Sequence, residues 1–141
     1  MNRITLNNNI QMPMLGFGTF LMGGSECEES VLAAIRSGYR MIDTAEAYGN
    51  EEAVGSAIVK SGIPREELFL VTKVNFRSYE NTRETVEASL NKLKTSYLDL
   101  VLLHWTFGNY YAAWRELEKL YHEGKSRAIG VSNFDPGRLI D

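Results

Sequence analysis

Residues 68–73 read LFLVTK and residues 98–104 read LDLVLLH, two apolar runs that each end on a polar side chain, Lys73 and His104. Runs without polar alternation suit strands whose two faces are both covered by other elements. A shorter run, YRMID (39–43), ends in the same way on Asp43. The three terminal residues lie thirty and thirty-one positions apart. That interval holds one strand, one helix and two short connections, the length of a βαβ unit, whose crossover is right-handed.

Outward from these runs the same alternation continues. Helices are expected at 51–60, 83–93 and 111–122, the last ending near Gly124. An earlier helix at 28–37 places Val31, Leu32 and Ile35 on one face, with Gly38 just past its end. Strands are expected at 15–19 (LGFGT) and 128–132 (AIGVS), and Asp135-Pro136 has the cap and first-turn proline that open a further helix. Before all of these, 3–6 and 11–15 flank Asn7-Asn8-Asn9 as a β-hairpin, because Asn tolerates the left-handed conformation of a tight turn. The class is therefore α/β with parallel strands. Five strands fit either a doubly wound sheet or part of a (β/α)₈ barrel, which needs eight strands and about 250 residues. Periodicity alone leaves that choice open.

Composition narrows the function classes. The 141 residues carry 15 basic and 18 acidic side chains, a net charge of −3, scattered along the chain. No basic stripe argues for nucleic acid, and no apolar stretch argues for a bilayer span. Cys27 is the single cysteine, so an internal disulfide is impossible and a thiol-rich metal site is not expected. The polar opening MNRITLNNNI does not look like a signal peptide, so a cytoplasmic setting is the expectation.

In parallel α/β proteins ligands collect at the carboxyl ends of the strands. The residues to read are thus Asp43, Lys73 and His104, with Tyr48 five positions beyond Asp43. Each has an ordinary structural alternative: a turn cap for Asp43, a surface ion pair for Lys73, a core histidine for His104, an apolar plug for Tyr48. Together they are more specific than any one of them. A phenol is a weak acid, and an ammonium beside it stabilises the phenolate. Lys73, held and aimed by Asp43, would make Tyr48 a proton donor, and His104 could hydrogen-bond a developing oxyanion. Such a set delivers a proton to a carbonyl oxygen; the hydride of a reduction must come from a cofactor. His122, in the last turn of its helix, reads as a complement to the helix dipole.

These segments resemble the aldo-keto reductase superfamily: LGFGTF (15–20), IDTAEAYGNEEAVGSAI (42–58), LFLVTKV (68–74), DLVLLHW (99–105) and GKSRAIGVSNF (124–134), in that order. The resemblance implies a (β/α)₈ TIM barrel, of which this chain covers the hairpin and roughly five strands and four helices, a single domain over 1–141. It implies NADPH-dependent reduction of aldehydes and ketones, with NADH left open, and Asp43, Tyr48, Lys73 and His104 as catalytic residues. Similarity is greatest to the bacterial diketogluconate and small-aldehyde reductases. Gly18, Thr19, Asp43, Ser132 and Asn133 would contact the cofactor; Phe20, Tyr48, His104 and Trp105 would line the carbonyl pocket. For Phe20 and Trp105 the alternative is ordinary packing, and for Ser132-Asn133 a helix cap. Gly16-x-Gly18 is not a Rossmann fingerprint, since Leu21 stands at the third glycine position. Thr106 departs from the proline that usually follows His-Trp in the family, which is expected to reshape the loop and leave the four residues alone.

Members of the family continue through three more strands, so the expectation is a truncated barrel: a monomer when full-length, prone to self-association as a half. An isolated half is expected to show weak activity or none. Two alternatives to the enzyme remain, a cofactor-binding regulatory subunit and an inactive half-barrel fragment.

Overall fold

The computed structural model describes residues 2–140. An amino-terminal hairpin, β1 (Arg3–Thr5) and β2 (Gln11–Pro13), pairs antiparallel with Ile4 opposite Met12. Its turn places Asn9 at a φ of 67°, the left-handed conformation expected of that asparagine run. The hairpin is anchored at its tip, where Asn8 Nδ2 donates to the Arg127 carbonyl at 2.8 Å.

Five parallel strands follow: β3 (Phe17–Gly18), β4 (Met41–Asp43), β5 (Phe69–Val74), β6 (Leu100–Leu103) and β7 (Ile129–Val131). Their spatial order is β3-β4-β5-β6-β7, the order of the chain. A doubly wound sheet reverses its order at a switch point. No reversal occurs here, so the sheet is an arc of a parallel α/β barrel, and the choice left open by periodicity is settled.

Helices α1 (Gly24–Arg36), α2 (Glu51–Ser61), α3 (Thr82–Lys92) and α4 (Tyr110–His122) cover the outer face, and α5 (Pro136–Ile140) begins the next unit. Helix α1 starts four residues before the expected 28, because its buried stripe begins at Cys27 and runs through Val31, Ala34 and Ile35. β5 keeps the six residues expected of it, moved on by one, and the other strands of the sheet are shorter than their runs suggested; β3 keeps two residues of the expected five. Asp135 caps α5 as expected, its carboxylate accepting from the Arg138 amide at 3.0 Å.

Strand parity separates two faces. Ile42, Leu70, Val74, Val101 and Leu103 are buried against the helices, where they meet Val31, Val54, Val86 and Leu117. Each such side chain contributes roughly 1.5–3 kcal/mol when fully buried. The opposite parity, which holds Asp43, Lys73 and, one residue past β6, His104, faces the concave side. Helix α2 lies against the end of α3 at Gly55, where a Cβ would collide with the Lys92 carbonyl oxygen. Among the described residues no helix is long and apolar enough to cross a membrane.

Candidate active site

Sheet register brings the first two residues together. Asp43 stands beside Val71, so Lys73 is one repeat further along the same face of β5. Lys73 Nζ donates to Asp43 Oδ1 at 2.6 Å and to the Thr44 carbonyl at 2.9 Å. The ammonium is nearly enclosed, with 8% of its side chain exposed, whereas the Asp43 side chain is 34% exposed. Lys73 is therefore a buried cation held by one carboxylate and one carbonyl, and not the surface ion pair it could have been.

Tyr48 ends a 3₁₀ turn, Glu46–Tyr48, on the loop after β4. Its ring lies with its centroid 5.2 Å from Lys73 Nζ. The ring also meets Phe20 at 5.0 Å and His104 at 5.8 Å, the latter edge-on. His104 is buried, and its Nδ1 has no hydrogen-bond partner among the described residues. Burial, and then the Lys73 charge, push its pKa below the ordinary imidazole value, against a smaller opposing pull from Asp43 and Glu46. The imidazole is thus neutral at pH 7. The three residues singled out by strand-end position meet in one cluster with Tyr48.

The flanking residues divide. Phe20 and Trp105 are exposed, with Trp105 stacked on His104 at 5.8 Å, so both line the mouth and neither is ordinary core. Asn133, with a φ of 58°, donates from Nδ2 to the His104 carbonyl at 2.9 Å and to Ser132 Oγ at 3.0 Å. Asp135 caps the following helix, so Ser132 and Asn133 are not its caps. Thr19 is fully buried, its hydroxyl donating to the Asp43 carbonyl at 3.3 Å, and it turns no surface to the mouth.

Four further residues shape the site without having stood out in the sequence. Glu46 accepts from the Asn75 amide at 2.9 Å and from Ser78 Oγ at 2.6 Å. Asn50, buried, donates to the carbonyls of Thr19 and Met22, each at 2.8 Å, and accepts from Thr44 Oγ1 at 2.8 Å. The Tyr79 hydroxyl donates to the Trp105 carbonyl at 2.5 Å and accepts from the Trp105 amide at 3.2 Å. Phe107 extends the aromatic wall, stacking on Trp105 at 6.2 Å. The signal for Glu46 and Asn50 was their place two residues either side of Tyr48; nothing in the sequence marked Tyr79 or Phe107.

The residues present fit a flat, polar-edged cofactor. A Cβ at Gly18, which pairs with Asp43, would meet no atom within 4 Å, so that position opens directly onto space beside the cluster. The amide–hydroxyl pair of Asn133 and Ser132 lies beside it, bonded to the His104 carbonyl, whereas the unpartnered Nδ1 of His104 is buried beneath the cluster.

The family model for the Aldo/keto reductase family matches residues 14–140. The glyoxal reductase of Bacillus subtilis (strain 168) is 52% identical over 140 residues, which cover 96% of this chain and 51% of that protein. The crystal structure of an aldo/keto reductase from Brucella melitensis superposes with a TM-score of 0.96 at 42% identity, over 99% of this chain and 56% of that one. A Bombyx mori aldo-keto reductase crystallised in complex with NADP gives a TM-score of 0.92 at 31% identity, covering 99% of this chain and 52% of that one. The chain spans about half the length of the curated relatives it matches. With that extent of match and a strand order that runs without reversal, the chain belongs to the aldo/keto reductase family, and its fold is part of a TIM barrel.

Proposed function

We propose that this chain is the amino-terminal half of a single-domain barrel that reduces aldehydes and ketones to alcohols, with Tyr48 as the proton donor. The observation that carries this reading is the buried Lys73 ammonium, bonded to Asp43 and lying against the Tyr48 ring. The Tyr48 hydroxyl gives its proton to the carbonyl oxygen, and Lys73 stabilises the phenolate left behind. Asp43 keeps Lys73 charged and aimed. His104, neutral and buried, offers its outer nitrogen to the carbonyl oxygen and orients it. Phe20 and Trp105 exclude water and wall the small carbonyl substrate.

A nicotinamide cofactor supplies the hydride. NADPH is our choice, with NADH as the other candidate; its support is family membership and the NADP-bound relative. Gly18, Asp43, Ser132 and Asn133 would hold it, with Thr19 backing Gly18 from within. The single buried Cys27 suits a reducing cytoplasm.

The test is consumption of reduced nicotinamide with a small reactive aldehyde. It is run on the 141-residue chain and on a chimera that carries the remaining half of the Bacillus glyoxal reductase. We expect little turnover from the chain alone and ready turnover from the chimera. Tyr48→Phe in the chimera should lower the rate by about 10²–10⁴-fold. Tight cofactor binding without turnover in the chimera would favour a regulatory subunit instead.

A further inference from the structure

We propose that Glu46 and Asn50 are the positioning residues of Tyr48, pinning its turn to the loops on either side so that the phenol keeps its place against Lys73. The proposal rests on the reading of Tyr48 as proton donor. The turn itself is slight. Tyr48 N donates to the Ala45 carbonyl at 3.0 Å and Gly49 N to the Glu46 carbonyl at 3.2 Å, after which Gly49 takes a φ of 66°. Two bonds and a glycine do not fix an aromatic ring to the tolerance that proton transfer needs, because 3₁₀ turns have poor hydrogen-bond geometry and are short.

The side chains two residues before and after supply what the turn lacks. Toward β5, both carboxylate oxygens of Glu46 are used, one by the Asn75 amide and one by Ser78 Oγ. Toward β3, Asn50 reaches the carbonyls of Thr19 and Met22, which bracket Phe20, the ring packed on Tyr48. The Asn50 carbonyl oxygen also receives Thr44 Oγ1, and the Thr44 backbone carbonyl accepts from Lys73. One amide therefore ties the wall that Tyr48 leans on to the residue that holds its ammonium. The turn that carries Tyr48 cannot shift away from Lys73 without breaking bonds on one side or the other, and Phe20 and His104 flank the ring itself. Asn50 is buried and Glu46 half-buried, so these bonds are made where water competes poorly.

The experiment incorporates 3-fluorotyrosine into the chain and follows the ¹⁹F spectrum, with the Tyr48 signal assigned by its loss in Tyr48→Phe. Glu46→Ala and Asn50→Ala should shift and broaden that signal while Tyr97, at the amino ends of the strands, and Tyr121, late in α4, stay in place. Glu46→Gln, which keeps one accepting oxygen, should fall between wild type and Glu46→Ala. Val86→Ala, a cavity in the buried face of α3, is the control for general loosening and should leave the Tyr48 signal where it was. An unmoved signal in Glu46→Ala and Asn50→Ala, or an equal displacement in Val86→Ala, overturns the proposal. If Asn50→Ala fails to fold, Glu46→Ala decides it. In the chimera, both alanine variants should lower kcat by about 10–100-fold with KM within roughly threefold; a fall confined to KM overturns the proposal. Full turnover by Tyr48→Phe would remove the proton-donor reading, and the spectrum would still decide whether the turn is pinned.

Discussion

The two ends of the strands each set a cation against a carboxylate, and they bury opposite partners: Asp99 at the amino ends, Lys73 at the carboxyl ends. At the amino ends, Asp99, just before β6, is fully buried and accepts from Arg65 Nη2 at 2.7 Å, Arg127 Nη1 at 2.9 Å and the Leu70 amide at 2.9 Å. Arg65 also donates to the carbonyls of Leu68 and Tyr97 and stacks over the Tyr97 ring at 4.1 Å. At the carboxyl ends, Asp43 has one side-chain partner, its carboxylate is a third exposed, and the neighbouring His104 keeps an unpartnered nitrogen. Same charges, different saturation: a fully buried carboxylate with three hydrogen bonds holds the fold, and one with a single side-chain bond and a third of its side chain exposed is available to a ligand.

The largest expected effect lies at the closed end. Asp99→Ala leaves Arg65 and the Leu70 amide without their acceptor and should cost about 3–5 kcal/mol of unfolding free energy, measured by urea denaturation. Lys73→Met, at the open end, fills the same volume with apolar atoms while Asp43 hydrates, and should change stability by less than about 1 kcal/mol. Equal costs would break the comparison.

Activity should invert the ranking. In the chimera Lys73→Met should slow aldehyde reduction by about 10²–10³-fold, the usual result of removing one preorganised charge from a reacting centre. A conservative change at the amino ends, Arg127→Lys, should leave the rate per folded molecule unchanged, because nothing there faces the concave mouth.

Part of this contrast was legible in the sequence, and the reason is position: Asp43, Lys73 and His104 each end an apolar run, and parallel α/β proteins gather ligands at the carboxyl ends of their strands. That the three share one face follows only from the register of β4, β5 and β6. Asp99 opens such a run, and no rule distinguishes a saturated carboxylate from a free one before its partners are known. Arg65 and Arg127 lie thirty-four and twenty-eight positions from Asp99, on loops whose course only the assembled barrel decides. Strand order was equally invisible, since adjacent and reversed strands read alike along the chain. Tyr79 was missed for a related reason: its hydroxyl clamps Trp105 across two loops, a contact that sequence spacing does not encode. The family resemblance located the barrel, which the match to the Aldo/keto reductase family model and its solved structures shows, and it did not point to Glu46 or Asn50.

The smallest effect is a slope with pH, and it tests whether the mouth is unsatisfied in its free form. His104 has its pKa pushed down by burial and by Lys73. Between that lowered value and the ordinary imidazole value near 6.5, the unfolded chain carries a proton on this residue that the folded chain does not. Stability should therefore fall as pH drops through the ordinary value and stop falling, for this group, once the folded value is passed. One proton limits the slope to about 1.4 kcal/mol per pH unit. His104→Gln removes the titration and should flatten the wild-type curve by that component, measured as urea midpoints from about pH 8 down to about pH 5. Identical curves would mean that the folded imidazole accepts its proton as readily as the unfolded one. Its unpartnered nitrogen would then be accessible to water, and the contrast with Asp99 would shrink to the single open oxygen of Asp43.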